Sequence, residues 1–126
     1  LVAHRVLKKR FMLITDAIRA AGMPNGESEL GGQVVEVTDG QARLADGTLA
    51  GSTLTMWKAF KNALGIGFSV AEASFAAATA PANYLRLAHV GRIQTGARAD
   101  LLVLTASQEA SAGFVQGTEF TLQVSA

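Results

Sequence analysis

The sequence predicts an α+β chain, and three stretches carry that prediction. Gln33 to Val37 and Gln41 to Leu44 are strand-like and flank Thr38-Asp39-Gly40, where Asp-Gly supplies the positive backbone angles of a tight hairpin. Leu54, Trp57, Phe60 and Leu64 recur along one side of a helix. Asp100-Leu101-Leu102-Val103-Leu104 then returns to the unbroken apolar run of a buried strand.

In chain order, Val2, Val6 and Leu7 lie at helical spacing and lead into Lys8, Lys9 and Arg10, cations that suit the negative end of a helix dipole. This basic cluster reads as a solvated last turn rather than a nucleic-acid patch, because no aromatic or Gly-rich readout element accompanies it. Phe11 to Thr15 is a short apolar run ending at Asp16, the pattern of a strand buried on both faces. Ala20 to Gly26 is dense in turn formers and reads as a loop, and Asp46-Gly47 marks a second turn. Ser52 or Thr53 can cap the helix that Gly65 and Gly67 stop. On that helix Trp57 reads as core packing in preference to a sugar-stacking platform. Ser69-Val70-Ala71-Glu72 matches a capping box and opens an alanine-rich helix that Pro81 interrupts, with a short helical stretch following through Tyr84 and Leu87. Gly91 and Gly96 frame a turn region, and the tail after Thr105 is weakly patterned.

Composition narrows the function classes. The 126 residues are 49% hydrophobic and 17% charged, a balance suited to a folded interior. The absence of cysteine removes disulfide and thiolate chemistry. Eleven basic and ten acidic side chains leave a formal charge of +1, so no strong field steers the chain toward nucleic acid or anionic lipid. No apolar run reaches the roughly 20 residues that span a bilayer. The expectation is a soluble, cytoplasmic chain with a small partner. A start inside a helical pattern, without Met, adds the expectation that it is a segment of something longer.

Few residues offer chemistry. The two histidines, His4 and His89, have no second His or Cys at ligand spacing. His4 is expected on a helix surface and His89 beside a glycine turn. No nucleophile elbow, P-loop or dinucleotide fingerprint is present. Asp16 follows a predicted buried strand directly, the position at which barrel enzymes assemble their active sites. A cap or turn aspartate explains the same local pattern.

Three ordered motifs extend this reading. Leu13-Ile14-Thr15-Asp16-Ala17 is followed by Ala21-Gly22-Met23-Pro24-Asn25-Gly26 and by Leu30-Gly31-Gly32-Gln33. Downstream come Asp46-Gly47-Thr48-Leu49-Ala50-Gly51-Ser52-Thr53-Leu54-Thr55-Met56 and then Gly91 to Leu101. From about Phe11 to Leu104 the chain resembles the N-acetylglucosamine-6-phosphate deacetylases, members of the amidohydrolase superfamily. In that family a metal-bound water attacks the N-acetyl carbonyl of the sugar phosphate, releasing acetate and glucosamine-6-phosphate, and an aspartate passes the water proton to the leaving amine. The resemblance assigns the aspartate's role to Asp16, a possible contributor to the metal site as well. It assigns the substrate-touching loop to Leu49, Ala50 and Gly51, although a tight turn feeding the next helix explains Gly51 equally.

The resemblance also implies architecture: the last strand and helices of a (β/α)8 barrel, with the C-terminal share of a small β-sandwich. Residues 1–29 become the barrel end with its last strand and catalytic loop, 30–48 a β-hairpin region, 49–90 the substrate loop and barrel-closing helices, and 91–126 sandwich strands and tail. The tail, 108–126, carries no inherited function. A divalent metal, zinc or similar, is implied for the complete enzyme, with no complete set of ligands in this chain and no tight binding expected by it alone. An amino-sugar phosphate is the implied substrate. Exposed sheet edges and helix faces point to a homo-oligomer, or to pairing with the missing barrel half. Nucleic acid and membrane are not among the expected partners. Two rivals stand beside this reading: a non-catalytic interaction module, and a dihydroorotase-like or deaminase-like amidohydrolase. The Leu49 to Met56 motif favours the sugar deacetylase over the latter.

Overall fold

Asp39 and Gly40 both take positive φ, 50° and 70°, and the chain reverses there as Asp-Gly directs. The computed structural model describes residues 2–122. The hairpin belongs to an antiparallel sheet of four strands in sequential order: β1 Gly26–Leu30, β2 Gln33–Thr38, β3 Gln41–Arg43 and β4 Leu49–Gly51. β1 is a strand that the sequence pattern does not announce, since Gly-Glu-Ser-Glu-Leu lacks apolar alternation. It pairs with β2 from Gly26↔Val37 to Leu30↔Gln33, and Gly31 and Gly32, both at positive φ, make the turn. Val35, Val37 and Ala42 are buried on one face while Val34, Glu36 and Thr38 on the other stay exposed. Ala20, Val37 and Ala42 form a small core, with Ile18 and Ala50 packed against it.

The helices preceding and following this sheet complete the first of two units, Leu1–Ala77; the second is Ala78–Ala126. Helix α1 spans Val2–Leu7 and passes into a 3-10 turn, Lys8–Arg10. Helix α2, Met56–Gly65, is capped by Thr55, whose hydroxyl accepts the Lys58 N–H at 3.2 Å. This corrects the expected cap at Ser52 or Thr53. Ala59, Phe60 and Ala63 form the buried side of α2, and Trp57 is half-buried, stacked on Phe60 at 5.6 Å with the Lys61 ammonium over its ring. Helix α3, Val70–Ser74, has the complete capping box. Ser69 N–H donates to Glu72 at 2.9 Å, and Glu72 N–H donates to Ser69 Oγ at 3.2 Å. Ser69 holds the Glu72 carboxyl below the usual carboxylate range, with His4 adding a smaller effect.

The expected strand at Phe11 to Thr15 does not form. Residues 11–16 carry no regular structure, and Ile14 is 69% exposed. A parallel strand exists only by pairing, and this segment finds no ladder among the described residues: Leu13 N–H donates to Ala76 O at 2.9 Å, and Ala17 makes one isolated bridge with Ser52.

A π-helical turn, Phe75–Thr79, precedes α4, Ala80–Tyr84. Pro81 lies in the first turn of α4, where its missing N–H costs little, so the irregularity falls upstream of the proline and not at it. The second unit also holds an antiparallel sheet of three strands: β5 Leu101–Leu104, β6 Ala110–Val115 and β7 Thr118–Phe120. β5 forms where expected but is not buried, since Leu101, Leu102 and Val103 remain exposed. The weakly patterned tail contains β6 and β7, turned by Gln116 and Gly117 at positive φ. Its residues 123–126 lie outside the described residues.

Candidate active site

Asp16 is exposed, and its backbone sits in the left-handed region at φ 49°. Only a few per cent of non-glycine residues adopt that conformation, aspartate more readily than most. Among the described residues its carboxylate has no hydrogen-bond or ion-pair partner.

What fixes the backbone beyond it is contact with the end of β4. Ala17 bridges to Ser52 in parallel sense, and Ile18 N–H donates to Ser52 O at 2.9 Å. Ile18 then packs on the Ala20, Val37 and Ala42 core, and turn bonds from Ala21 N–H to Ile18 O, 3.0 Å, and from Met23 N–H to Ala20 O, 3.1 Å, close the loop. Across this seam, Gly51 faces Ile18 without a side chain between them. The candidate catalytic residue and the candidate substrate residues therefore lie on adjoining segments.

The three substrate candidates differ. Leu49 is 60% exposed and available to a ligand. Ala50 packs against the core, so its backbone is the part left to contact anything else. All three lie on strand β4 rather than in a loop. The strand passes into α2 through Ser52, whose hydroxyl accepts the Leu54 N–H at 3.1 Å, and Thr53, whose hydroxyl donates to Gly40 O. Ile18 is the residue that sequence pattern did not single out; a β-branched side chain after Asp16 has no signature until its neighbours are in place.

The two histidines have other partners. His4 is half-buried between the rings of Phe68, 4.1 Å away, and Phe11, 5.5 Å away, with Nε2 4.0 Å from a Glu72 oxygen. This corrects the helix-surface placement, because the helix packs its histidine into an aromatic cluster. His89 is exposed, and its carbonyl accepts the Arg98 N–H at 2.7 Å. Among the described residues no three His, Cys, Asp or Glu side chains gather to hold a metal. Among the described residues, Asp16 alone does not make up a metal site. Nor is any helix among the described residues long and apolar enough to cross a membrane.

The third motif has a structural use. Gly91 takes φ 71°, and an added Cβ would fall 2.6 Å from Ala78 O and 2.9 Å from Ala82 Cβ. Thr79 Oγ1 donates to Gly91 O at 2.5 Å, and Arg92 donates to Asn83 Oδ1 at 2.5 Å. Asp100 accepts the Gln116 N–H at 2.9 Å and pairs with Arg98, and these contacts hold its carboxyl below the usual range.

The sequence pattern of the Amidohydrolase family matches residues 3–120. An N-acetylglucosamine-6-phosphate deacetylase of Lysinibacillus sphaericus is 43% identical over 94 residues, covering 74% of this chain and 24% of that protein. An N-acetylgalactosamine-6-phosphate deacetylase of Escherichia coli O157:H7 is 39% identical over 112 residues, 87% of this chain and 30% of that protein. The crystal structure of N-acetylglucosamine-6-phosphate deacetylase from Thermotoga maritima superposes with a TM-score of 0.82 at 38% identity, over 94% of this chain and 33% of that one. The chain thus spans a third or less of each of these proteins.

Proposed function

Because this chain belongs to the amidohydrolase family, we propose that it supplies the proton-carrying carboxylate, Asp16, of an enzyme that hydrolyses the N-acetyl group of N-acetylglucosamine-6-phosphate. In this reading a water oxygen bonds to the acetyl carbon, and Asp16 takes the proton that the water loses. The C–N bond then breaks, and Asp16 returns the proton to the departing amine, giving acetate and glucosamine-6-phosphate. A carboxylate can accept and release a proton within one cycle, which an amide cannot. The observation that carries the reading is the setting of Asp16: exposed, with no side-chain partner among the described residues, and joined at Ala17 to the end of the strand that carries Leu49 to Gly51.

Leu49, and the backbone of Ala50 and Gly51, form the substrate side of the proposal. The divalent cation, zinc or a similar ion, belongs to the complete enzyme, and no step here runs through it. Residues 1–29 and 49–90 stand as barrel elements, 30–48 as the hairpin region and 91–126 as sandwich strands and tail. The exposed β5 residues favour burial against a second copy or the rest of a longer chain. A second reading of the substrate comes from the E. coli relative, which is 39% identical and named for N-acetylgalactosamine-6-phosphate. The two sugars differ in configuration at one hydroxyl, so turnover of each by the full-length protein decides between them.

Asp16→Asn in the full-length protein keeps size and much of the hydrogen bonding. It should lower kcat by at least about 100-fold, the usual value of lost acid-base catalysis, with KM changed much less. Near-parental turnover would make Asp16 a turn residue and remove the proposal.

A further inference from the structure

Gly51 lies on β4 with a φ outside the left-handed region, so its backbone does not require glycine. Space does. A Cβ at this position would fall 2.5 Å from Ile18 Cγ2, 3.5 Å from Cδ1 and 3.6 Å from Cβ. The first distance is shorter than real carbon contacts, while the other two are ordinary packing. One methyl group of one residue is therefore what the missing side chain accommodates.

Ile18 cannot yield cheaply. Its side chain packs on the Ala20, Val37 and Ala42 core, and its N–H is bonded to Ser52 O at 2.9 Å. Added bulk at 51 must push the Ile18 segment away from β4 or force Ile18 off its rotamer. Two residues upstream stands Asp16, and the backbone that follows it is constrained at Ala17 and Ile18 by this seam. Breaking the seam at Ile18 releases that constraint.

We infer that Gly51 is a positioning residue: by admitting the Ile18 methyl against β4, it locks the segment that presents Asp16. The inference rests on the catalytic reading of Asp16 and assigns Gly51 a role distinct from substrate contact. A lost substrate contact would raise KM, whereas a misplaced proton carrier lowers kcat, because a shift of about 1 Å at the reacting group can cost about 100-fold in rate.

The experiment uses the full-length protein with Gly51→Ala, Ile18→Ala and the pair Gly51→Ala/Ile18→Leu. Leucine branches one carbon later than isoleucine and so lacks the methyl that would collide. Gly51→Ala should lower kcat about 10-fold or more with KM within about 2-fold, and adding Ile18→Leu should recover most of that loss. Ile18→Ala leaves Gly51 intact but removes the anchoring side chain, and it should lower kcat with KM steady as well. Should Gly51→Ala fail to fold, this variant decides alone. Parental kcat in either single variant, a loss expressed in KM, or no recovery in the pair overturns the inference. Exchange of the Ile18 amide separates it from the Asp16 reading. Gly51→Ala should speed that exchange about 10-fold and the pair should slow it again, whatever Asp16→Asn does to turnover. Unchanged exchange overturns the seam itself.

Discussion

Asp16 and Asp100 are both exposed aspartates beside short apolar stretches, and their surroundings treat them in opposite ways. Asp100 is held: its carboxylate accepts the Gln116 N–H and pairs with Arg98, while Gly117 N–H donates to the neighbouring Ala99 carbonyl at 2.9 Å. Asp16 has a constrained backbone at φ 49° and, among the described residues, an uncommitted side chain. A carboxylate consumed by local hydrogen bonds stabilises a turn. One whose backbone is fixed and whose oxygens are left open is available to a substrate. Residue type and exposure do not distinguish the two; the hydrogen bonds around them do.

The contrast predicts that changes outside the Asp16 segment move stability while turnover per folded molecule stays put. Gly91→Ala should have the largest effect, since it combines a left-handed backbone with a Cβ 2.6 Å from a carbonyl oxygen. A loss of about 3 kcal/mol is expected from strain plus overpacking, read as a lower urea midpoint. A smaller, pH-dependent effect belongs to Asp100→Asn. Because the folded carboxyl titrates below its unfolded value, its contribution is present above the unfolded value near about 4 and is lost as pH falls through the folded one. Urea midpoints from about pH 6 to pH 3 should therefore fall less steeply in the variant than in the parent. The smallest change is Ser69→Ala, which opens the capping box of α3 and should cost about 1 kcal/mol. Reduced turnover per folded molecule in any of these variants would blur the contrast.

Legibility followed locality. The Asp39-Gly40 hairpin and the Ser69–Glu72 capping box are complete within a few residues, and both form as their sequences dictate. β1 was not legible, because Glu27, Ser28 and Glu29 show no apolar face and become a strand only when Gly31-Gly32 folds them onto β2. Gln116-Gly117 was the overlooked turn signal for β6 and β7. Phe11 to Thr15 misled in the other direction: its composition fits a buried strand, but strand formation depends on partners and not on composition. At the proposed site, Asp16 and the Leu49 to Gly51 stretch come from the resemblance alone. The adjacency of their segments and the part of Ile18 were not legible, since they arise from contacts between residues more than 30 positions apart.

The most direct measurement runs Asp16→Asn and Asp100→Asn side by side in the full-length protein, recording turnover of the amino-sugar phosphate and the thermal midpoint. The account predicts a crossed result. Asp16→Asn should lose at least about 100-fold in kcat with the midpoint nearly unmoved, and Asp100→Asn should lower the midpoint with kcat within about 2-fold of the parent. An Asp16→Asn protein that turns substrate over at the parental rate would contradict it.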